Sequence, residues 1–407
     1  MRCRWTDAQR RLREIYAEAG RGVAARTDAR YDRGGFDQGS WQGLADAGFW
    51  RLAVPTTYGG AGTTWWEFAA ALEGLATTSR DLGFLLSIVA HAGLLRAVLR
   101  FGTESQLRRY LPKLMTGRVG ATAITEPTGG SDVARIRLQA VQRGPVYHLT
   151  GDKAHITNAP VADVVLVVGR IPDLAPRDIT LFLVERDTPG LHAGPPEDML
   201  GNRTSPTGHL QFNGATIPED QVLGPPGAGL ALIYNTIALD RALYGVIAAG
   251  YLEWLLDEAL DHCQRHEAFR AKLATYQYVQ GRLTDIKIGL ETTRWVSYAA
   301  LDQLLHDDPS ASAACSLAKL VGSEALAAGA QHVMRIFGHA GYEAGPVARA
   351  VRDSLGTLIA GGTTEMQRKN LFAWLVQARE IERCEALRTA EITNGHPSGA
   401  YRPTIGD

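Results

Sequence analysis

Cysteine is scarce: there are four in 407 residues, at Cys3, Cys263, Cys315 and Cys384. No C-x-x-C pair occurs, which removes the common thiolate zinc sites and a dithiol redox centre. Hydrophobic residues make up 45% of the chain, enough for a core that needs no disulfide staples and too much for overall disorder. Reduced thiols and a cytoplasmic setting are therefore expected. Excess charge of one sign is also missing, with Lys+Arg at 42 and Asp+Glu at 43. No electrostatic pull toward nucleic acid or anionic membrane follows, and neither partner is expected. The start, MRCRWTDAQRRLREIY, lacks the apolar run of a signal peptide. There is no internal repeat, no low-complexity segment, no Walker A sequence, no G-x-G-x-x-G after a strand and no G-x-S-x-G elbow. GPPGAG at 224–229 has the wrong spacing for a phosphate loop and reads as a linker. His262 and His266 stand four apart, but HCQRH carries no acid between them, so no metal is expected. What remains is a small-molecule enzyme or a neutral binding protein. Glycine is abundant, at 44 residues, which points to tight turns and close backbone approaches.

Three blocks follow one another. Residues 1–118 are helical in pattern, rich in Ala, Leu, Arg and Glu, with apolar runs too long for alternating strands. Residues 119–228 turn β-branched: VADVVLVVGRI, ITLFLVE and HLQFNG, with RLQAVQ and VYHLTG flanking a Gly-Pro turn. No helix-length segment interrupts these strands, so an antiparallel, barrel-like β domain is expected rather than a βαβ sheet. Residues 229–388 return to helix. Spans 229–260, 266–306, 311–337 and 364–386 predict a four-helix bundle, and residues 389–407 predict a polar, frayed tail. The fold class is thus mainly α with a central antiparallel β domain.

One position stands out. The nearly apolar stretch 227–256 carries a seam of Ile233, Ile237, Asp240, Tyr244, Ile247, Tyr251 and Trp254, spaced alternately by three and four. Charges at Asp240, Arg241 and Glu253 argue against a membrane span and for a bundle-core helix. Asp240 has only apolar neighbours on its face, and Arg241 does not share that face. A carboxylate there is either a buried ion-pair partner or a general base tuned upward by burial.

Five motifs, in order, carry a resemblance: AITEPTGGSDV (123–133), GDKAHITNA (151–159), MLGNRTSPTGHLQF, IFGHAGY (336–342) and RDSLGTLIAGGTTEMQR (352–368). Over roughly residues 20–385 the chain resembles the acyl-CoA dehydrogenase family. That resemblance implies a helical domain, a β domain and a four-helix bundle, with FAD between the last two and its adenine half reaching a neighbouring subunit of a dimer or tetramer. It implies flavin contacts at Ile124, Thr125, Gly130, Ser131, His155 and Thr157. It also implies Phe269 and Gln277 holding the cofactor across an interface, with Gly338, Thr363 and Glu365 lining it elsewhere. Ser131, Arg241 and Gly361 are implied as substrate contacts.

Departures from the family pattern are informative. Most members carry a catalytic Glu before Gly-Thr near the end; here that position is Gly361, in Ile359-Ala360-Gly361-Gly362-Thr363. A subgroup that includes isovaleryl- and long-chain enzymes places its Glu on the long bundle helix before an Arg, and here that position is Asp240. The family's Trp in K-x-W-I-T is His155, and an Arg on the cofactor pyrophosphate is His266, with Arg270 or Arg335 placed to compensate. Weak FAD retention is expected. The implied chemistry is α,β-dehydrogenation of an acyl thioester, on CoA or a carrier protein. Asp240 takes the α-proton and flavin N5 accepts hydride, while the backbone N–H of Gly361 polarises the carbonyl together with a flavin ribityl hydroxyl. An electron-transfer flavoprotein is the implied partner. Two alternatives stay open: a flavin oxidase or monooxygenase on the same scaffold, and a flavin-binding protein without acyl chemistry.

Overall fold

The computed structural model describes residues 5–393. Helices α1 (Asp7–Arg30), α2 (Gln38–Asp46), α3 (Trp65–Ser79), α4 (Leu82–Phe101) and α5 (Glu104–Met115) form the first layer. Three of them open on reciprocal capping boxes, at Thr6 with Gln9, Thr64 with Glu67 and Thr103 with Gln106, which satisfy first-turn N–H groups that would otherwise lack partners. Gln106 also donates 2.8 Å bonds to the Asp220 and Val222 carbonyls, tying this layer to the next.

The second layer comprises β1 (Gly120–Ala123), β2 (Gln139–Arg143), β3 (Val146–Thr157), β4 (Val164–Arg170), β5 (Ile179–Glu185), β6 (Leu191–Ala193), β7 (Thr207–Pro218) and β8 (Val222–Leu223). They make one eight-stranded sheet in the order β6-β7-β3-β2-β4-β5-β8, with β1 beside β4. Most neighbours are antiparallel, as expected. The β1–β4 pair is parallel, from Gly120 opposite Val164 to Ala123 opposite Val167, because the intervening β2–β3 hairpin carries the chain across before it returns. The runs VVLVV and ITLFLV are apolar throughout because both faces of these strands are covered. Val164, Leu166, Val168, Ile179, Leu181 and Leu183 join the core shared with the helices. The alternate residues Val165, Val167, Phe182 and Val184 fill a second core inside the sheet.

The third layer is α6 (Gly229–Arg265), a hairpin of β9 (Glu267–Ala268) and β10 (Ala271–Lys272), then α7 (Gln277–Leu305), α8 (Ala311–Phe337), α9 (His339–Tyr342), α10 (Pro346–Thr357) and α11 (Thr364–Thr393). Helices α6, α7, α8 and α11 make the expected bundle, with α10 added against α8. The helix expected over 266–306 starts only at Gln277. His266 leaves the helix with φ −86° and ψ 142°, and Phe269 and Arg270 take φ of 49° and 65°, the left-handed pair that a two-residue hairpin turn requires. EAFRAKLAT has good helix propensity, yet it folds as this hairpin; at its base His266 stacks on His262 at 3.8 Å, and His262 on Phe337 at 4.0 Å. The helix expected to end at 386 runs on to Thr393, and residues 394–407 of the expected tail lie outside the described residues.

Helices α4 and α6 are long and apolar enough to cross a membrane, yet both pack inside the molecule. Cys263 and Cys315 are buried free thiols; Cys3 lies outside the described residues.

A buried charge cluster fastens the first layer to the bundle. Glu73 on α3, wholly buried, accepts from Arg294 Nε on α7 at 2.9 Å. Arg13 on α1 donates to Glu253 on α6 at 2.6 Å, and Arg294 also reaches Glu253. Burial pushes the Glu73 carboxyl up, and Arg294 and Arg13 oppose that shift. Removing one member of such a cluster strands the others. Arg294→Leu should therefore cost about 3–5 kcal/mol, read as a lower urea midpoint. The double variant Arg294→Leu/Glu73→Gln should recover part of the loss; an unchanged midpoint in the single variant would show the cluster to be dispensable.

Candidate active site

A cavity opens where the sheet, α4, α6 and the loop before α11 meet. The turn after β1 builds its first wall. Glu126 and Gly129 exchange backbone bonds of 3.2 and 3.0 Å, curling Thr125–Ser131 into a tight loop. Below it, the buried Glu126 carboxylate accepts from the backbone N–H of Arg137 (2.7 Å) and Leu138 (2.9 Å) and from Lys153 Nζ (2.9 Å). Lys153, wholly buried, donates also to the Ile124 carbonyl at 2.9 Å. Burial works to raise the Glu126 pKa, but Lys153 and the two backbone donors outweigh it, and the carboxyl is held below its usual range. Burial lowers the Lys153 ammonium to about 8 against the pull of Glu126, so the pair stays charged at neutral pH. This pair anchors Ile124 and the loop to β3.

Ile124, Thr125, Gly130 and Ser131 line the cavity from this loop, and His155 and Thr157 line it from β3. A Cβ built on Gly130 would meet nothing nearer than Thr125 Cγ2 at 3.4 Å. The chain itself does not demand glycine there, so the missing side chain leaves room for something bound.

Helix α6 supplies the opposite wall through Tyr234, Ile237, Asp240, Arg241 and Tyr244. Asp240 is partly open to the cavity, yet its Oδ1 is buried without a hydrogen-bond partner. Burial raises the carboxyl from 3.8 to about 8, and Arg241 and Arg96 pull it down less strongly. The carboxylate lies against α4 at Gly93, where a Cβ would sit 2.3 Å from Oδ1; only glycine clears the space. Arg241 also reaches the cavity, although the helical wheel separates it from Asp240. Its guanidinium lies 3.5 Å from Ser316 Oγ.

The third wall is the loop Gly361–Gly362, with φ of 69° and 88°. Gln367 Nε2 donates to both carbonyls, at 3.3 and 2.9 Å, and Lys319 Nζ to the Leu358 carbonyl at 3.3 Å. A Cβ on Gly361 would lie 3.0 Å from Tyr244 Cε2. The Tyr244 ring therefore fills the place toward which a side chain at 361 would grow.

The other predicted contacts do not line this cavity. Thr363 caps α11, accepting from the Met366 N–H at 3.3 Å, and Glu365 is exposed in its first turn. His266, Phe269, Gln277, Arg335 and Gly338 gather at the far end of α6. His266 is about 39 Å along the helix from Asp240, at about 1.5 Å per residue. Phe269 is 95% exposed. Within one chain these residues cannot meet the Asp240 end, so any shared role needs a second copy. Sequence reasoning passed over Tyr234, Tyr244, Thr122, Met366 and Asn370, which line the cavity. Tyr244 and Ile237 were visible only as seam positions.

The lining fits FAD. Thr122 Oγ1, Asp240 Oδ1 and Arg241 Nε are all buried without partners among the described residues, Thr125, Ser131 and Thr157 line the same space, and Gly130 leaves its backbone bare.

Comparison with known proteins gives the same reading over most of the chain. Residues 6–118 match the acyl-CoA dehydrogenase N-terminal domain, 121–215 the middle domain and 227–376 the C-terminal domain. An acyl-CoA dehydrogenase of Bacillus subtilis (strain 168) is 33% identical, over 81% of this chain and 87% of its own. An L-prolyl-[peptidyl-carrier protein] dehydrogenase of Pseudomonas fluorescens is 30% identical, over 85% and 91%. The FAD complex of PigA superimposes with a TM-score of 0.87 at 28% identity, covering 92% of this chain and 99% of that one.

If the Glu126–Lys153 pair sets the loop, Lys153→Met should strand Glu126 and loosen Thr125–Ser131. The protein should then lose more than half its FAD on gel filtration, read from the visible-to-280 nm absorbance ratio. Full retention would show that the loop holds its shape without the pair.

Proposed function

The chain belongs to the acyl-CoA dehydrogenase family, and from that premise we propose that Asp240 is the base in an α,β-dehydrogenation of an acyl thioester. The protein is an FAD-dependent oxidoreductase acting on CH–CH bonds. One observation carries the finer reading: a carboxylate in the cavity wall with a buried oxygen that nothing among the described residues satisfies. Ion pairing would have held its pKa down; burial without a partner raises it toward the working range of a general base. Ionised, Asp240 accepts the proton from the α-carbon, and the electron pair of that C–H bond becomes part of the new double bond. Bound FAD supplies the acceptor for the β-hydrogen and its two electrons. Arg241 keeps a positive charge beside the carboxylate and lowers the cost of ionising it in the cavity. Gly361 lines the cavity, and its backbone N–H would donate to a thioester oxygen as negative charge develops. A side chain at position 361 would crowd the Tyr244 ring, its Cβ lying 3.0 Å from Cε2.

Asp240→Asn should keep FAD and slow its anaerobic bleaching by an acyl thioester about 10²–10⁴-fold. Unchanged bleaching removes Asp240 from the role. An acid raised to about 8 is protonated below that pH, so kcat/KM should rise as pH increases from 6 to 9. A profile flat from pH 5 upward would mean an ordinary carboxyl.

The same bleaching assay, run with CoA and carrier-protein thioesters, separates the two substrate classes suggested by the relatives. Fast reoxidation by air would point to the oxidase reading. Reoxidation only with an added electron-transfer flavoprotein would support the dehydrogenase.

We further propose that copies of the chain pair through the exposed Phe269 hairpin and share the cofactor. Phe269 and Tyr278 (89% exposed) are large apolar groups that a lone chain would leave in water. Phe269→Asp should elute later on gel filtration and carry less FAD per chain. Elution and FAD content like the parent would remove the hairpin from the assembly.

A further inference from the structure

At the rim of the cavity the sheet holds two imidazoles and a carboxylate together. Strand β3 bulges there: Lys153 pairs with Leu210 and Ile156 with Gly208, so Ala154 and His155 oppose His209 alone. His155 takes φ 56°, a strained conformation for a residue other than glycine. The bulge turns its ring out beside that of His209, with centroids 5.5 Å apart. Glu197 reaches both rings from the loop after β6. Its carboxylate oxygens lie 3.0 and 3.1 Å from His155 Nδ1, and Oε1 lies 3.1 Å from His209 Nε2. Backbone bonds hold all three supports: Ala154 N–H to the Thr125 carbonyl (2.9 Å), Gly194 N–H to the His209 carbonyl (2.9 Å) and Glu197 N–H to the Thr207 carbonyl (2.8 Å).

One ligand atom from each residue lies within 4.8 Å of the other two. A tetrahedral zinc ion with bonds of about 2.0–2.2 Å holds its ligand atoms roughly 3.3–3.5 Å apart. The nitrogen–oxygen separations here need open by only a few tenths of an ångström. Each neutral imidazole would move its proton to the outer ring nitrogen and present a lone pair inward. Two imidazoles and a carboxylate suit Zn²⁺, Cu²⁺ or Ni²⁺ over Mg²⁺ and Ca²⁺, which prefer oxygen alone. The rings are exposed, which gives an ion an entry path and leaves a fourth position for water.

We propose that His155, Glu197 and His209 form a three-ligand site for a divalent transition-metal ion, with Zn²⁺ as the representative. The sequence predicts no metal, since it has no C-x-x-C pair and HCQRH carries no acid; these three ligands come from two strands and a loop. Occupancy would place a net positive charge at the rim and hold the His155 ring, which also lines the cavity. The site stands on the strand geometry alone, whatever reaction the cavity performs.

The test uses untagged, FAD-loaded protein stripped with chelator and titrated with ZnCl2 by calorimetry. One ion should bind per chain. His209→Ala and Glu197→Gln should each weaken binding by at least about tenfold, while the exposed His306→Ala should leave it unchanged. Co²⁺ titration of the parent gives a readout independent of how the variants fold: a visible ligand-field band should rise and saturate at one equivalent. Absence of saturable Zn²⁺ binding, absence of that band, or equal affinity in folded His209→Ala and Glu197→Gln would each overturn the proposal.

Discussion

The site turns on a desolvated carboxylate. Asp240 projects from a helix face that is otherwise apolar, against a glycine on the neighbouring helix, and one of its oxygens has no partner among the described residues. Such a group costs folding energy unless it is neutral, which is why its pKa rises. For an acid whose folded pKa exceeds its unfolded value, the folded state holds the extra proton, so this group favours the fold less as pH climbs from about 4 to about 8. The structure carries that liability where it can act on a bound substrate.

Much of the surrounding architecture holds this helix face in place. The Glu73–Arg294 cluster fixes α3 against α6 and α7. Asp353 on α10 accepts from the Asn202 N–H at 2.6 Å and pairs with the Tyr31 hydroxyl, so one buried acid links the first helical layer, the β domain and the bundle. The Glu126–Lys153 pair does the same for the loop across the cavity. Each is a buried carboxyl held by directional donors, an arrangement that specifies position more than it adds stability.

The two glycine-dependent contacts, Gly93 under Asp240 and Gly361 under Tyr244, work by leaving space. At Gly361 the Tyr244 ring occupies the ground a side chain would take.

The α–β–α order, the continuous apolar strands and the unusual acid at 240 were all legible in the amino-acid sequence. They depend on periodicity and composition, which are local properties, and the five ordered motifs added the family and FAD. What only the tertiary structure decided was which chemistry-bearing residues meet. The hairpin at 267–272 stands where a run of good helix formers predicts a helix. Thr122 reached the cavity, and Gly93 came to lie under Asp240, through contacts between α4, α6 and β1 that no spacing reveals. His155, Glu197 and His209 came together through a one-residue bulge in strand register. Register and helix docking are settled by long-range packing, where a shift of one residue changes which side chains touch, and that information is distributed over the whole chain.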